Sequence, residues 1–146
     1  MAKPQKVLCV CFGNSDRSPI MAAVLGMYLK NAQHDNVMCE SAGINDDKFE
    51  DDPAPFCVMA AKRLGLDISG HKKRHISEFD LNQYDLIIVV DDVVAGVLVD
   101  KYGVQIDKIF NVQISNPWPC QFQEQYEPTV EQVIIMMYRV VRFYFA

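Results

Sequence analysis

Val7-Leu8-Cys9-Val10-Cys11-Phe12-Gly13-Asn14-Ser15-Asp16-Arg17-Ser18-Pro19 reads as a buried strand, a tight turn and the start of a helix. Val7 to Cys11 is a short apolar run of the kind that fills a central parallel strand. Gly13 and Asn14 are residue types that accept left-handed backbone angles. Ser18 followed by Pro19 is a helix-start signal, a hydroxyl cap and then a proline at the first helical position. Ile20 to Leu29 continues as the helix.

Five residues separate Cys11 from Arg17. A loop of that length can curl so that backbone N–H groups point inward and form an anion nest. The helix N-terminus adds its positive end. Arg17 offers a planar fork suited to two phosphate oxygens. Under that potential Cys11 is expected to be a thiolate at neutral pH, a nucleophile aimed at phosphorus.

Downstream, Val37 to Ser41 reads as a second strand, and Gly43 to Asp52 as an acidic loop. A helix runs from Asp52-Pro53 to Leu64 and stops at Gly65. Ile68 to Leu81 is a connection with one helical turn. Tyr84 to Val90 is an unbroken apolar strand, buried on both faces. Asp92 caps a helix to Tyr102, stopped by Gly103, and Ile109 to Ile114 is a fourth strand. Ser115 to Pro128 is a loop. Pro128 to Phe145 closes the chain as a helix with Val133, Met137, Val140 and Tyr144 on one face. Strands alternating with helices predict an α/β fold with a parallel doubly wound sheet, in which ligands bind beyond the carboxyl end of a strand where the order reverses.

The 146 residues are expected to form one domain, 1–146, with half of the residues hydrophobic. A net charge of -5 argues against a nucleic-acid or anionic-membrane partner. The dense cationic cluster is Lys72-Lys73-Arg74, which is either a solvated loop or a rim that attracts an anionic substrate. The five cysteines form no CxxC pair and no metal-ligand spacing with the three histidines. Cys9, Cys39 and Cys57 read as core thiols. No signal peptide precedes Lys3, and Arg139 and Arg142 interrupt the last apolar run, so a membrane span is not expected. A reducing cytoplasm is the expected location, since a catalytic thiolate needs one.

Cys11 to Pro19 resembles the C-x-G-N-x-C-R-S-P signature of the low-molecular-weight protein tyrosine phosphatases. Ser41-Ala42-Gly43 resembles that family's S-A-G, Gly65-Leu66-Asp67-Ile68-Ser69-Gly70-His71 its G-I-D-I-S-x-H, and Asp80 to Asp92 its third strand. The resemblance implies a flavodoxin-like four-stranded parallel sheet, order 2-1-3-4, with helices on both faces. It also implies phosphotyrosine protein or small aryl phosphate as substrate and inorganic phosphate or a similar oxyanion as ligand, without metal or cofactor. Cys11 would attack phosphorus, and Arg17 and the loop from Phe12 to Asp16, through Gly13, Asn14 and Ser15, would hold the oxygens. Ser18 is either a plain helix cap or, as the resemblance implies, also a hydrogen-bond donor to the Cys11 sulfur, and both roles can hold at once. Asn14, Ser41 and His71 would brace the loop from behind, His71 as a structural residue rather than a proton carrier.

Two positions depart from the family pattern. Asp16 stands where a second cysteine is common, so no disulfide can form within the loop to rescue an oxidised Cys11. Its carboxylate opposes anion binding unless it points outward, the orientation expected here. Asn116-Pro117-Trp118-Pro119 stands where the family has an aspartate and a proline. That aspartate protonates the leaving phenol oxygen and then deprotonates water, and Asn116 has no titratable proton to do either. Trp118 either forms an aromatic wall for a flat substrate or packs its loop. Asp46, Asp47, Glu50, Asp51, Asp52, Asp91 and Asp92 are the carboxylates available as substitutes. Slow or selective phosphatase chemistry is therefore the first expectation. An oxyanion-binding pseudophosphatase is the second. An arsenate reductase, which would need relay cysteines missing between residues 58 and 119, is the third.

Overall fold

A computed structural model describes residues 2–47, 53–117 and 123–146, the last segment without the side chain of Gln123. β1 (Lys6–Cys11), β2 (Met38–Gly43), β3 (Leu86–Val89) and β4 (Ile109–Asn111) form one parallel sheet in the order β2-β1-β3-β4. The flavodoxin-like order implied by the family resemblance is the observed one. In register, Cys9 lies beside Ser41 on one side and Ile88 on the other, and Cys11 beside Gly43. All of β3 is buried, as its unbroken apolar run requires, so the sheet is covered on both faces there.

The helices are α1 (Arg17–Asn31), α2 (Pro55–Arg63), α3 (Asp92–Asp100) and α4 (Gln123–Tyr144). α1 packs on β1, β2, α2 and α4, whereas α3 packs on β3 and β4. Val133, Met137 and Val140 of α4 are fully buried, and Tyr144 is half-buried beside Phe110. The chain runs from β1 outward to β2, then returns past β1 to β3. The strand order therefore reverses at β1, and its carboxyl end opens a crevice.

Several element ends differ from the sequence expectation. α1 begins at Arg17 and is capped by Asp16, whose carboxylate accepts the Arg17 N–H, so Ser18 is released from capping. α3 is capped by Asp91, which accepts the Val94 N–H, rather than by Asp92. β4 ends at Asn111 because Gln113 takes a left-handed φ of 53°, although the Val112 and Ile114 amides still donate to Val89 and Val90. α4 starts five residues before Pro128, which sits inside the helix. There its missing N–H sacrifices one intrahelical bond, and the buried Tyr126 and Val130 on either side hold the turn in place. The expected start of α2 at Asp52 lies outside the described residues; Ala54 precedes its first turn. The single turn expected between Ile68 and Leu81 is the 3-10 turn Ile76–Glu78, and a second, Leu81–Gln83, begins where that connection ends.

Candidate active site

The crevice at the end of β1 is occupied by the loop from Phe12 to Asp16. Three segments pin it. The Ile44 and Asn45 amides donate to the Phe12 carbonyl at 2.9 and 2.8 Å, and the Ala54 amide donates to the Ser15 carbonyl at 2.8 Å. β2 comes so close that a Cβ on Gly43 would lie 2.9 Å from the Asn14 nitrogen, the Gly13 carbonyl carbon and the Phe12 oxygen. Only a residue without a side chain fits there.

Asn14 is the keystone, fully buried with a left-handed φ of 56°. Every polar group it has is engaged. Its side-chain amide donates to Ser18 Oγ at 2.8 Å and Ser41 Oγ at 2.9 Å. Its Oδ1 accepts the Arg74 N–H at 2.8 Å. Its carbonyl lies 2.8 Å from His71 Nε2, and its own N–H donates to Cys11 Sγ at 3.1 Å. Burial lowers the His71 pKa from 6.5, so the ring is neutral and Nε2–H is the donor to the carbonyl. Asn14, Ser41 and His71 thus meet as the family resemblance implied.

Cys11 is 1% exposed, with its Sγ 3.0 Å from Ser18 Oγ. Ser18 has one hydroxyl proton and two acceptors in reach, the sulfur and the Ala42 carbonyl at 3.3 Å. With Cys11 as thiol, S–H donates to Oγ and O–H to Ala42. With Cys11 as thiolate, O–H turns to the sulfur.

The surroundings of Cys11 work against the thiolate expected at neutral pH. Burial pushes the Cys11 thiol above its ordinary 9.0 and the Asp16 carboxylate pushes it further, against the opposing pull of the Ser18 hydrogen bonds and the Arg17 charge. Arg17 Nη1 donates to both Asp91 Oδ2 at 3.2 Å and the Ile114 carbonyl at 3.0 Å.

An open cleft of about 420 Å³ lies over this loop. Phe12, Gly13, Ser15, Asp16 and Arg17 line it from the loop, and Asn45, Lys73 and Asn116 line it from three other segments. Phe12 is 47% exposed and presents an aromatic wall, and Asn14 lies behind the loop. Asp16 also lines the cleft, contrary to its expected outward orientation: capping α1 requires its carboxylate to turn toward the Arg17 amide. Burial raises the Asp16 pKa, against the Arg17 hydrogen bond and charge. Arg17 is 2% exposed, and its buried Nε has no hydrogen-bond partner among the described residues.

Sequence reasoning missed the Arg17–Asp91 pair, whereas Lys73 lines the cleft as the rim alternative for the cationic cluster anticipated. Trp118, Glu50, Asp51 and Asp52 lie outside the described residues. Asp91 is paired with Arg17, Asp92 accepts from Asn111, and Asp46 is paired with His75 and Lys101. Asp47 lines a separate small hollow with Gly43 and His75. Cys9 and Cys57 are buried and Cys39 is half-buried, all three free, as core thiols would be.

Residues 6–117 match the family model described as low molecular weight phosphotyrosine protein phosphatase. A low molecular weight phosphotyrosine protein phosphatase of Sus scrofa is 32% identical over 89 residues, covering 60% of this chain and 56% of the relative. A probable low molecular weight protein-tyrosine-phosphatase of Ralstonia nicotianae is 30% identical over 107 residues, 73% of this chain and 69% of the relative. The match spans little more than half the length of the first curated relatives. Among solved structures, a low molecular weight protein tyrosine phosphatase from T. tengcongensis superposes with a TM-score of 0.82 at 26% identity, over 94% of this chain and 97% of the other. Wzb of Vibrio vulnificus, in complex with benzylphosphonate, shares the fold at a TM-score of 0.83 and 22% identity, over 95% and 98% of the two chains.

Proposed function

The chain belongs to the low molecular weight phosphotyrosine protein phosphatase family, and on that footing we propose that it hydrolyses aryl phosphomonoesters, phosphotyrosine among them, through a phosphocysteine intermediate. The observation that carries this reading is the sulfur of Cys11. It has the Ser18 hydroxyl and the Asn14 amide at 3.0 and 3.1 Å, at the head of α1, beside a buried Arg17 whose Nε has no partner among the described residues. A bound phosphate oxygen would satisfy that Nε, and Arg17 with the loop amides would neutralise the phosphoryl oxygens.

The raised Cys11 pKa is compatible with attack. A thiol facing a phosphate dianion has the same proton count as a thiolate facing the monoanion, so the S–H proton passes to a phosphate oxygen as the sulfur engages phosphorus. The S–P bond forms, the P–O bond breaks, and its electron pair leaves with the aryl oxygen. Water then attacks phosphorus and releases inorganic phosphate. The departing thiolate is stabilised by the Ser18 O–H and the Asn14 N–H. Asn116 lines the cleft, and in this reading it stands in for the family's aspartate. It can donate a hydrogen bond from its amide but no proton, so esters of acidic phenols react best.

Residues 1–146 act as one domain in this reading. α4 lies beyond the matched residues, yet it packs on α1 and α2 and contributes Val133 and Met137 to the shared core. Among the described residues no helix is long and apolar enough to cross a membrane. A reaction that needs a reduced Cys11 suits a reducing compartment such as the cytoplasm.

A second reading, an oxyanion-binding protein without efficient turnover, is favoured by the same Asn116. Turnover of an activated and an unactivated aryl phosphate by the wild type, Cys11→Ser and Asn116→Asp separates the two. Hydrolysis is expected to vanish with Cys11→Ser. With Asn116→Asp it is expected to rise for the unactivated ester by at least about tenfold, toward the 10²–10⁴ typical of a positioned acid. Phosphate binding with no turnover in any of the three proteins would establish the second reading.

A further inference from the structure

Of three consecutive cations, Lys72, Lys73 and Arg74, one reaches the catalytic cleft. Lys72 and Arg74 line a separate hollow with Pro19 and Cys39, and Arg74 shares a small hollow with Lys73. Arg74 lays its guanidinium 4.1 Å over the Phe79 ring and pairs with Glu40 at 3.4 Å. Lys73 alone of the three lines the catalytic cleft, half-buried, with Asp16 and Arg17 as the other charged residues of the described wall. Its charge favours the ionised form of Asp16 and the neutral form of His71, in each case behind the larger effect of burial.

Resting on the phosphatase reading above, we propose that Lys73 is a specificity-determining residue that pairs with a second anion on the substrate, a carboxylate carried next to the aryl phosphate. The phosphoryl group has its own cation in Arg17 and its own amides in the loop. Lys73 comes from a different segment, and the remaining outer wall, Asn45 and Asn116, is neutral. A substrate with one negative group leaves that ammonium facing water. One with a neighbouring carboxylate brings it a partner in a partly desolvated cleft. The carboxylate has two sources, the phosphotyrosine's own carboxyl group or an acidic residue beside it in a peptide.

The test compares phosphorylated hydroxyphenylpropionate with its propionamide. The saturated spacer keeps the two phenols equally acidic, so only the remote charge differs. The wild type is expected to favour the carboxylate by about threefold to fivefold in kcat/KM at low salt, the scale of a partly exposed ion pair. The preference should reside in KM and shrink as salt is added. Lys73→Met should bring the ratio of the two probes to about one, whichever way their common rate moves, and Lys73→Glu should invert it. A parallel pair of capped phosphotyrosine peptides, flanked by Glu or by Gln, reveals whether a neighbouring acidic residue serves as the source.

Binding of the same probes to Cys11→Ser and to the Cys11→Ser, Lys73→Met double variant separates the two levels. No turnover anywhere, but a charge preference in binding that Lys73→Met erases, would overturn the phosphatase reading and leave the role of Lys73 standing. Turnover with no wild-type preference for either carboxylate source would overturn the role of Lys73 alone. So would a preference that survives Lys73→Met, or a Lys73→Met effect equal on all probes, which would make Lys73 only the counter-ion of Asp16.

Discussion

Asp16 accepts the Arg17 amide proton at the head of α1, and the same carboxylate lies in the cleft and helps to keep the Cys11 proton on its sulfur. Cys11, Arg17, Ser18 and Asn14 were legible as a phosphate-binding constellation because their spacing along one short loop places them together whatever surrounds them. The protonation of Cys11 was not. It depends on how far the sulfur is buried and on Asp16 turning inward. Asp16→Asn separates the two roles, since asparagine caps a helix about as well and carries no charge. Its expected effect is a Cys11 pKa lowered toward neutrality with little loss of stability. The check is thiolate absorbance against pH, with Cys11→Ser as the blank.

Among the elements, β2 does more than pair with β1: it sets the floor on which the loop rests. Ser-Ala-Gly was noticed in the sequence by its resemblance alone. The structure supplies the reasons: Ser41 reaches Asn14, and Gly43 lies against three backbone atoms of the loop. Those atoms are main chain and cannot swing aside. Gly43→Ala is therefore expected to destabilise the protein by about 1–3 kcal/mol, the usual range for overpacking. It should also weaken oxyanion binding more than a change of similar cost elsewhere in the core. Denaturant unfolding and a phosphate titration, run beside Val140→Ala as the core control, test both parts. Element identities followed from apolar runs and periodicity, whereas element ends did not. Asp16 and Asp91 displace Ser18 and Asp92 as caps, and α4 runs through Pro128.

At the scale of the whole molecule, the loop is held by residues spread along the chain, with His71, Arg74, Ile114 and β2 all converging on it. Site integrity is thereby tied to global stability, and His71 makes the tie pH-dependent. Its pKa is lowered on folding from 6.5, so just below that value the unfolded chain binds more protons than the native one. The contribution of His71 is full above pH 6.5 and is lost as pH falls through the lowered native value. The unfolding midpoint is expected to drop over that interval, before most carboxylates titrate, and the drop should be shallower in His71→Gln. Denaturant melts at closely spaced pH values measure it.

The one-dimensional chain by itself determined the α/β class, the strand–loop–helix unit, and the short spacing that brings Cys11, Ser18 and Arg17 to one loop. These are local matters of periodicity and short spacing. Only the tertiary structure decided that Asp16 faces inward, that Gly43 admits no side chain, that Asp91 takes a share of Arg17, and that Lys73 alone of its cluster faces the cleft. Charge state, close approach and cleft shape arise from groups far apart in sequence and brought within a few ångströms, and no local pattern encodes which of them will meet.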